Sequence, residues 1–404
     1  MPHYPYLIVG GGMTADAAVE GIRQVDQRGA IGLIGAEPDP PYNRPPLSKA
    51  LWKGDPLDSI WRQTAERGVD LHLGRTARAL DPAGQRVVDD TGTTYTYDAL
   101  LLATGGTPRR LPFGGDAIVY YRTLADYRHL RGLAAGRRRF AVIGGGFIGS
   151  EIAAALALNG QDVVMLFPEE GIGARLFPAD LARFLNDDYR QRGVAVAAEE
   201  MVTGLEARDG RQVLRVRHAR TGAEREVVAD AVVAGLGITP NTALAERAGL
   251  TVDNGVVVDE LLRASAPAIY AAGDVASFVN PALGRRLRVE HEDNANTMGR
   301  QAGRALAGAP EPYHHLPFFY SDLFDLGYEA VGDTDARLTT VADWREPHRE
   351  GVIYYLDGGR VRGVLLWNVW GQVDAARRLI AAPGPFRPEE LRGRLPEAAS
   401  GSGG

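Results

Sequence analysis

Lys49 stands in the stretch PYNRPPLSKALW, residues 41–52, where prolines, an arginine and a tyrosine lead into a serine able to cap a helix. That reading puts Lys49 in the first turn of a helix. The positive end of the helix dipole disfavours a cation there by roughly 0.3–1 kcal/mol unless an anion lies close. A second charge raises the mirror question. Glu151 follows Gly149 at the start of another expected helix, where it reads as a first-turn carboxylate answering the dipole. If the same helix end is to receive phosphates, an added carboxylate needs a cation sharing its site.

Phosphate binding is what the surrounding glycines imply. YLIVGGGMTADAAVEGI and RFAVIGGGFIGSEIAAALALNG are each a short apolar strand, a glycine turn and a helix with small residues on its packing face. Gly10, Gly12 and Ala15 occupy the three small positions of the first copy, and Gly144, Gly146 and Gly149 those of the second. The first glycine allows the tight turn, the second lets a pyrophosphate approach the backbone, and the third lets helix pack on strand. Amides at the helix start then face the phosphates. About twenty residues on, each copy reaches an acid after a second strand, Glu37 in IGLIGAE and Glu169 in DVVMLFPEE, suited to ribose hydroxyls. Glu169 and Glu170 favour NADH, because a carboxylate repels the 2′-phosphate of NADPH, while Arg175 nearby leaves NADPH open.

These turns need strands and helices to hold them. DALLLATGG ends at Thr104 and Gly105, ADAVVAGLGITPN near Gly237, and AIYAAGD at Asp274, and Thr104 and Gly105 read as a close backbone approach to the first nucleotide. Between about 194 and 233, alternating stretches separated by Asp209-Gly210 and Thr221-Gly222 predict a three-stranded meander. Asp274 reads by itself as a cap for a following helix, and Asp293 or Asn294 as a cap for NANTMGRQAGRALAG. Trp367 and Trp370 read as core-packing residues. The fold class expected is α/β, with two nested Rossmann-like dinucleotide-binding domains and an α+β C-terminal domain. The first domain spans 1–116 and 239–317, the second 117–238, the third 318–396, and a flexible tail follows at 397–404.

Composition narrows the classes. With 404 residues, 45% hydrophobic and 24% charged, the chain is long enough for several cores. A net charge of −6 argues against non-specific nucleic-acid binding. Cysteine is absent, which removes disulfides, thiolate nucleophiles, iron–sulfur ligation and most structural zinc sites. His291 among Glu290, Glu292 and Asp293 has contiguous spacing and no second histidine, so no metal site is expected. No secretory pattern or run of transmembrane length is present, so the expectation is a cytoplasmic protein without membrane insertion.

With both fingerprints, ATGG, GLGITPN and AAGD in this order, the chain resembles the two-dinucleotide-binding flavoproteins. PYNRPPLSK resembles the ferredoxin-reductase branch. GGGFIGSE, LFPEEG, RRLRVEHED, FFYSDLFDLGYEAVGD and GVLLWNVWGQVDAARRLI are similar to the apoptosis-inducing-factor-like group within it. The chain departs from that group in carrying Glu292 where histidine is usual, Tyr320 where tryptophan is usual, and no long C-terminal inserted loop.

The resemblance implies FAD in the first fold and NADH in the second. It implies a Lys49–Glu151 pair beside the flavin, in which Lys49 stabilises negative charge and Glu151 holds it and helps place the nicotinamide. It implies Phe147 over the flavin, Arg44 against FAD, and Asp274 on a ribityl hydroxyl. Glu290, His291 and Tyr320 would line the flavin pocket, with Gly237 on the NADH side. The activity implied is an FAD-dependent NADH oxidoreductase: hydride passes to flavin N5, and electrons go on to an external acceptor, a ferredoxin-like protein, a quinone or oxygen. The alternative is an NADH-responsive redox sensor with a long-lived charge-transfer complex, whose output is partner binding or a redox-dependent homodimer.

Overall fold

The computed structural model describes residues 1–396, so the tail expected at 397–404 lies outside the described residues. The chain divides into two compact units. One comprises Met1–Arg44, Leu57–Thr107 and Thr239–Pro317; the other comprises Pro45–Pro56, Pro108–Ile238 and residues 318–396.

In the first unit the apolar run of His3–Val9 lies between Ile31–Gly35 and Thr94–Leu102, with Val69–Leu73 outside Ile31–Gly35, all parallel. Such strands are covered on both faces, which is why they read as continuous apolar runs and not as alternations. Leu7, Ile8, Leu100 and Leu101 are fully buried. The end of Thr94–Leu102 is flanked by Ile269–Ala271, so the chain returns to this sheet after more than 160 residues elsewhere. Helices Met13–Val25 and Glu292–Leu306 pack closely: a side-chain carbon on Gly303 would meet the Ala18 carbonyl oxygen at 2.0 Å.

In the second unit the parallel order is Val194–Ala198, Asp162–Phe167, Arg139–Ile143, Ala231–Ala234 and Ile118–Tyr120. The meander is real, but it comprises Glu200–Arg208, Arg211–His218 and Glu224–Ala229. Val194–Ala198, read above as its start, belongs to the parallel sheet, because VAVAA pairs in register with Val163 to Phe167. The C-terminal sheet is antiparallel, in the order Phe318–Leu323, Leu326–Gly332, Arg360–Trp367, Glu350–Asp357 and Thr339–Glu346, followed by helix Val373–Ala381. The architecture is the α/β fold with two Rossmann-like sheets and an α+β C-terminal domain that the sequence implies. Trp367 is fully buried there, whereas Trp370 is 51% exposed and is not a core residue. The ring of Trp370 lies over Gly327, which offers it backbone and no side chain to bury against. Among the described residues no helix is long and apolar enough to cross a membrane.

Candidate functional site

Two glycine cradles come first, one per unit. Strand His3–Val9 ends at Gly10, whose φ of +129° suits glycine, and a side-chain carbon there would meet the Ala103 carbonyl oxygen at 2.0 Å. Gly12 caps helix Met13–Val25 and has no atom within 4 Å of where a side chain would begin, while Ala15 is buried under the turn. The second copy repeats the geometry. Gly144 has φ +115°, and a side-chain carbon there would strike the Gly235 carbonyl; one on Gly149 would meet the Gly144 carbonyl oxygen at 2.0 Å; one on Gly146, at the cap of Phe147–Leu158, would meet nothing within 4 Å. A crowded first glycine beside an open second one is a backbone shaped for an anionic group at the helix start.

The acids after the second strands have partners. Glu37 accepts hydrogen bonds from the Tyr42 hydroxyl at 2.6 Å and from Arg44 Nη2 at 2.5 Å, so Arg44 is held by this carboxylate. Glu169 Oε1 accepts from Arg175 Nε at 3.0 Å and Nη2 at 2.6 Å. The Thr104 hydroxyl donates to the Asn241 carbonyl at 2.8 Å, and Gly105, at φ +62°, accepts from the Asn241 amide. Gly237, at φ +78°, accepts from the Arg109 amide at 3.0 Å.

Asp274 lies in the short 3-10 turn Gly273–Val275, which runs into strand Ala276–Asn280. It therefore caps no α-helix; its carbonyl accepts from Arg288 Nη1 at 3.1 Å, and Arg288 Nη2 pairs with Glu290 at 2.7 Å. The cap of Glu292–Leu306 is His291, so Asp293 and Asn294 fall inside the helix instead of capping it. Asp293 pairs with His315 at 2.6 Å, and Asn294 accepts from the Tyr313 hydroxyl at 2.9 Å. Burial drives the His291 pKa down to about 4 against the opposing pull of Asp274 and Asp293, so the imidazole is neutral at neutral pH.

In the second unit Lys49 meets Glu151. Pro45–Ser48 and Ala50–Trp52 are separate 3-10 turns, and Lys49 sits between them at φ −128° and ψ −94°. No α-helix starts there, because the backbone at Lys49 lies outside the helical region, so the expected clash with a helix dipole does not arise. Glu151 is the fifth residue of Phe147–Leu158, one turn further in than a first-turn carboxylate, and its partners determine its place. Lys49 Nζ donates to Glu151 Oε1, and Ser321 Oγ donates to the same oxygen at 2.6 Å. Ser48 Oγ donates to Oε2 at 2.5 Å. The side chains of Lys49 and Glu151 are only 11% and 6% exposed. Lys49 Nζ also lies 5.5 Å from the centre of the Tyr320 ring. Phe147 meets Phe319 edge-on at 5.1 Å and leans toward Tyr328 at 6.5 Å.

Ser48 and Ser321 went unrecognised in the sequence. Ser48 reads as a helix cap, and Ser321 is one small hydroxyl inside the apolar strand FFYSDL, a signal visible only as a polar interruption. Asp16 was missed as well. This fully buried carboxylate in the first helix binds Arg62, Arg67 and Thr64 at 2.5–2.6 Å and pins the turn Thr64–Arg67.

Residues 4–299 match the family model described as pyridine nucleotide-disulphide oxidoreductase, and residues 302–350 match the C-terminal model of apoptosis-inducing factor, mitochondrion-associated. The chain is 38% identical over 400 residues to the ferredoxin–NAD(+) reductase component of the anthranilate 1,2-dioxygenase system of Burkholderia cepacia, covering 96% of each. It is 34% identical over 421 residues to apoptosis-inducing factor 1, mitochondrial, of Dictyostelium discoideum, covering 93% of this chain and 78% of that protein. Among solved structures, putidaredoxin reductase in its covalent complex with putidaredoxin superposes with a TM-score of 0.87 at 30% identity, over 96% of this chain and 95% of that one.

Proposed function

The chain belongs to the pyridine nucleotide-disulphide oxidoreductase family, an FAD- and NAD(P)H-using group of enzymes, and on that premise we propose that it carries electrons from NADH through FAD to an external ferredoxin-type acceptor. FAD, when bound, would accept one hydride, two electrons with one proton, and could release the electrons singly. The chain's own residues must bind both nucleotides, align them and support the charge that develops.

For FAD we assign residues 1–116 and 239–317. Gly10, Gly12 and Ala15 form the pyrophosphate cradle, whose open Gly12 fits the group. Glu37 serves the ribose, Thr104 and Gly105 offer backbone, and Arg44, Asp274 and Glu290 offer polar contacts. His291 contributes a neutral ring that can donate or accept a hydrogen bond without adding charge. For NADH we assign residues 117–238, with Gly144, Gly146, Gly149, Glu169 and Gly237. Residues 318–396 supply Tyr320. Phe147 is a ring to be displaced as the nicotinamide enters.

The observation that carries this reading is the buried Lys49–Glu151 pair. Glu151 holds the ammonium in one place, and a fixed positive charge of that kind would support negative charge developing on a reduced flavin. Without cysteine no internal dithiol can take the electrons, so the acceptor is external. The ferredoxin-reductase names of the relatives favour an iron–sulfur protein. Glu169 supports NADH over NADPH. The likeness of residues 302–350 to apoptosis-inducing factor favours a second reading, a redox sensor that changes oligomeric state.

One experiment separates the two. The protein is reduced anaerobically with NADH, then mixed with a [2Fe–2S] ferredoxin, a soluble quinone or oxygen, and recovery of flavin absorbance is timed. Recovery fastest with ferredoxin is expected. Uniformly slow recovery with a change in sedimentation would overturn the reductase reading in favour of the sensor.

A further inference from the structure

The three donors on Glu151 arrive from different places in the chain. Lys49 and Ser48 are neighbours, whereas Ser321 comes from strand Phe318–Leu323 of the C-terminal sheet, 170 positions away. Ser321 is fully buried in a strand whose other inward positions are apolar, and alanine would serve packing equally well. Its hydroxyl has one proton, and that proton goes to Glu151 Oε1. Ser321 and Lys49 thus donate to the same carboxylate oxygen.

Tyr328, the partner of Ser321 across the two strands, is itself immobilised. It stacks on Trp367 at 5.7 Å with an interplanar angle of 8°, and Phe177 and Phe319 press on it edge-on. We propose that Ser321 is a positioning residue of the redox site: through its hydroxyl the C-terminal sheet fixes the Glu151 carboxylate, and through that carboxylate the orientation of Lys49. Hydrogen bonds to a carboxylate hold it in one orientation, and the dry surroundings strengthen them. Ser48 does the same for Oε2, but its tie is local to the Lys49 turn and connects no second sheet. The proposal rests on the reductase reading for its kinetic consequence and on the geometry alone for its effect on Glu151.

Three variants of the FAD-loaded full chain test it: Ser321→Ala, Ser321→Thr, and Glu151→Gln as the spectral reference. Carboxylate infrared difference spectra against the Glu151→Gln protein, recorded at neutral pH, isolate the Glu151 stretching band, whose position follows the hydrogen bonds the group accepts. Ser321→Ala should shift that band and slow flavin reduction at saturating NADH about tenfold, with a much smaller change in half-saturating NADH. Ser321→Thr retains the hydroxyl while crowding the site, so it should lower the melting temperature yet keep the wild-type Glu151 band. A wild-type band and rate in Ser321→Ala, or equal impairment in both Ser321 variants, would overturn the proposal. Failure of the wild type to be reduced by NADH would instead remove the reductase reading, while the infrared band would still decide the clamp.

Discussion

Lys49 and Glu151 place opposite charges where neither is well hydrated, and removing one partner of such a pair costs about 3–5 kcal/mol because the other is left buried and uncompensated. Glu151→Leu is therefore expected to destabilise the protein by an amount of that order in urea unfolding, and Lys49→Met with Glu151→Leu by clearly less. A double variant as unstable as the sum of the singles would show that the two charges do not depend on each other. His291 gives a second expectation. Its folded pKa is depressed to about 4 by burial, while the unfolded chain takes up its proton near ~6.5. Between these values the unfolded state binds more protons, so the stability attached to neutral His291 is fully present above about pH 6.5 and is lost as pH falls toward 4. His291→Gln should flatten the pH dependence of the unfolding midpoint across that window; an unchanged slope would count against a neutral buried ring. At this scale the sequence announced charge and position better than conformation. Lys49 and Glu151 were conspicuous as charges out of place, but the two 3-10 turns around Lys49 depend on local proline geometry, and the serines on Glu151 carry no pattern of their own.

Among the elements, the two strand–turn–helix units were the most legible. Gly10, Gly144 and Gly149 are dictated by backbone sterics that act within a few residues or one neighbouring strand, and such constraints leave a fixed spacing behind. The contrast between Gly149 and Gly146 separates folding from binding. A side chain on Gly149 would strike the Gly144 carbonyl, so Gly149→Val should cost about 1–3 kcal/mol or more and lower the melting temperature. Gly146 has open space and φ −87°, so Gly146→Ala should melt like the wild type yet weaken NADH binding by about tenfold, because the added methyl occupies the room a pyrophosphate needs. Equal melting losses in both variants, or unimpaired NADH binding in Gly146→Ala by calorimetry, would contradict the cradle. Helix caps were less legible. Three polar residues, His291, Asp293 and Asn294, compete for the start of one helix, and the true cap makes no side-chain cap bond that composition alone could single out.

On the scale of the whole molecule, the long return of the chain was readable because its markers keep their order: ATGG, GLGITPN and AAGD each end a strand, and Ile269–Ala271 rejoins the sheet of Thr94–Leu102. The C-terminal sheet was recognisable as strands but not as a contributor to the Lys49–Glu151 pair, because a contact 170 positions apart in sequence leaves no periodic signal. On the proposed reading, the molecule as a whole lets NADH reduce a bound flavin with Lys49 supporting the charge. The most direct measurement is anaerobic stopped-flow reduction of the FAD-loaded protein by saturating NADH, comparing wild type with Lys49→Ala after matching flavin content. A drop of about a hundredfold in the limiting reduction rate, with NADH binding largely retained, is the expected result. An unchanged rate would contradict the role given to the Lys49–Glu151 pair.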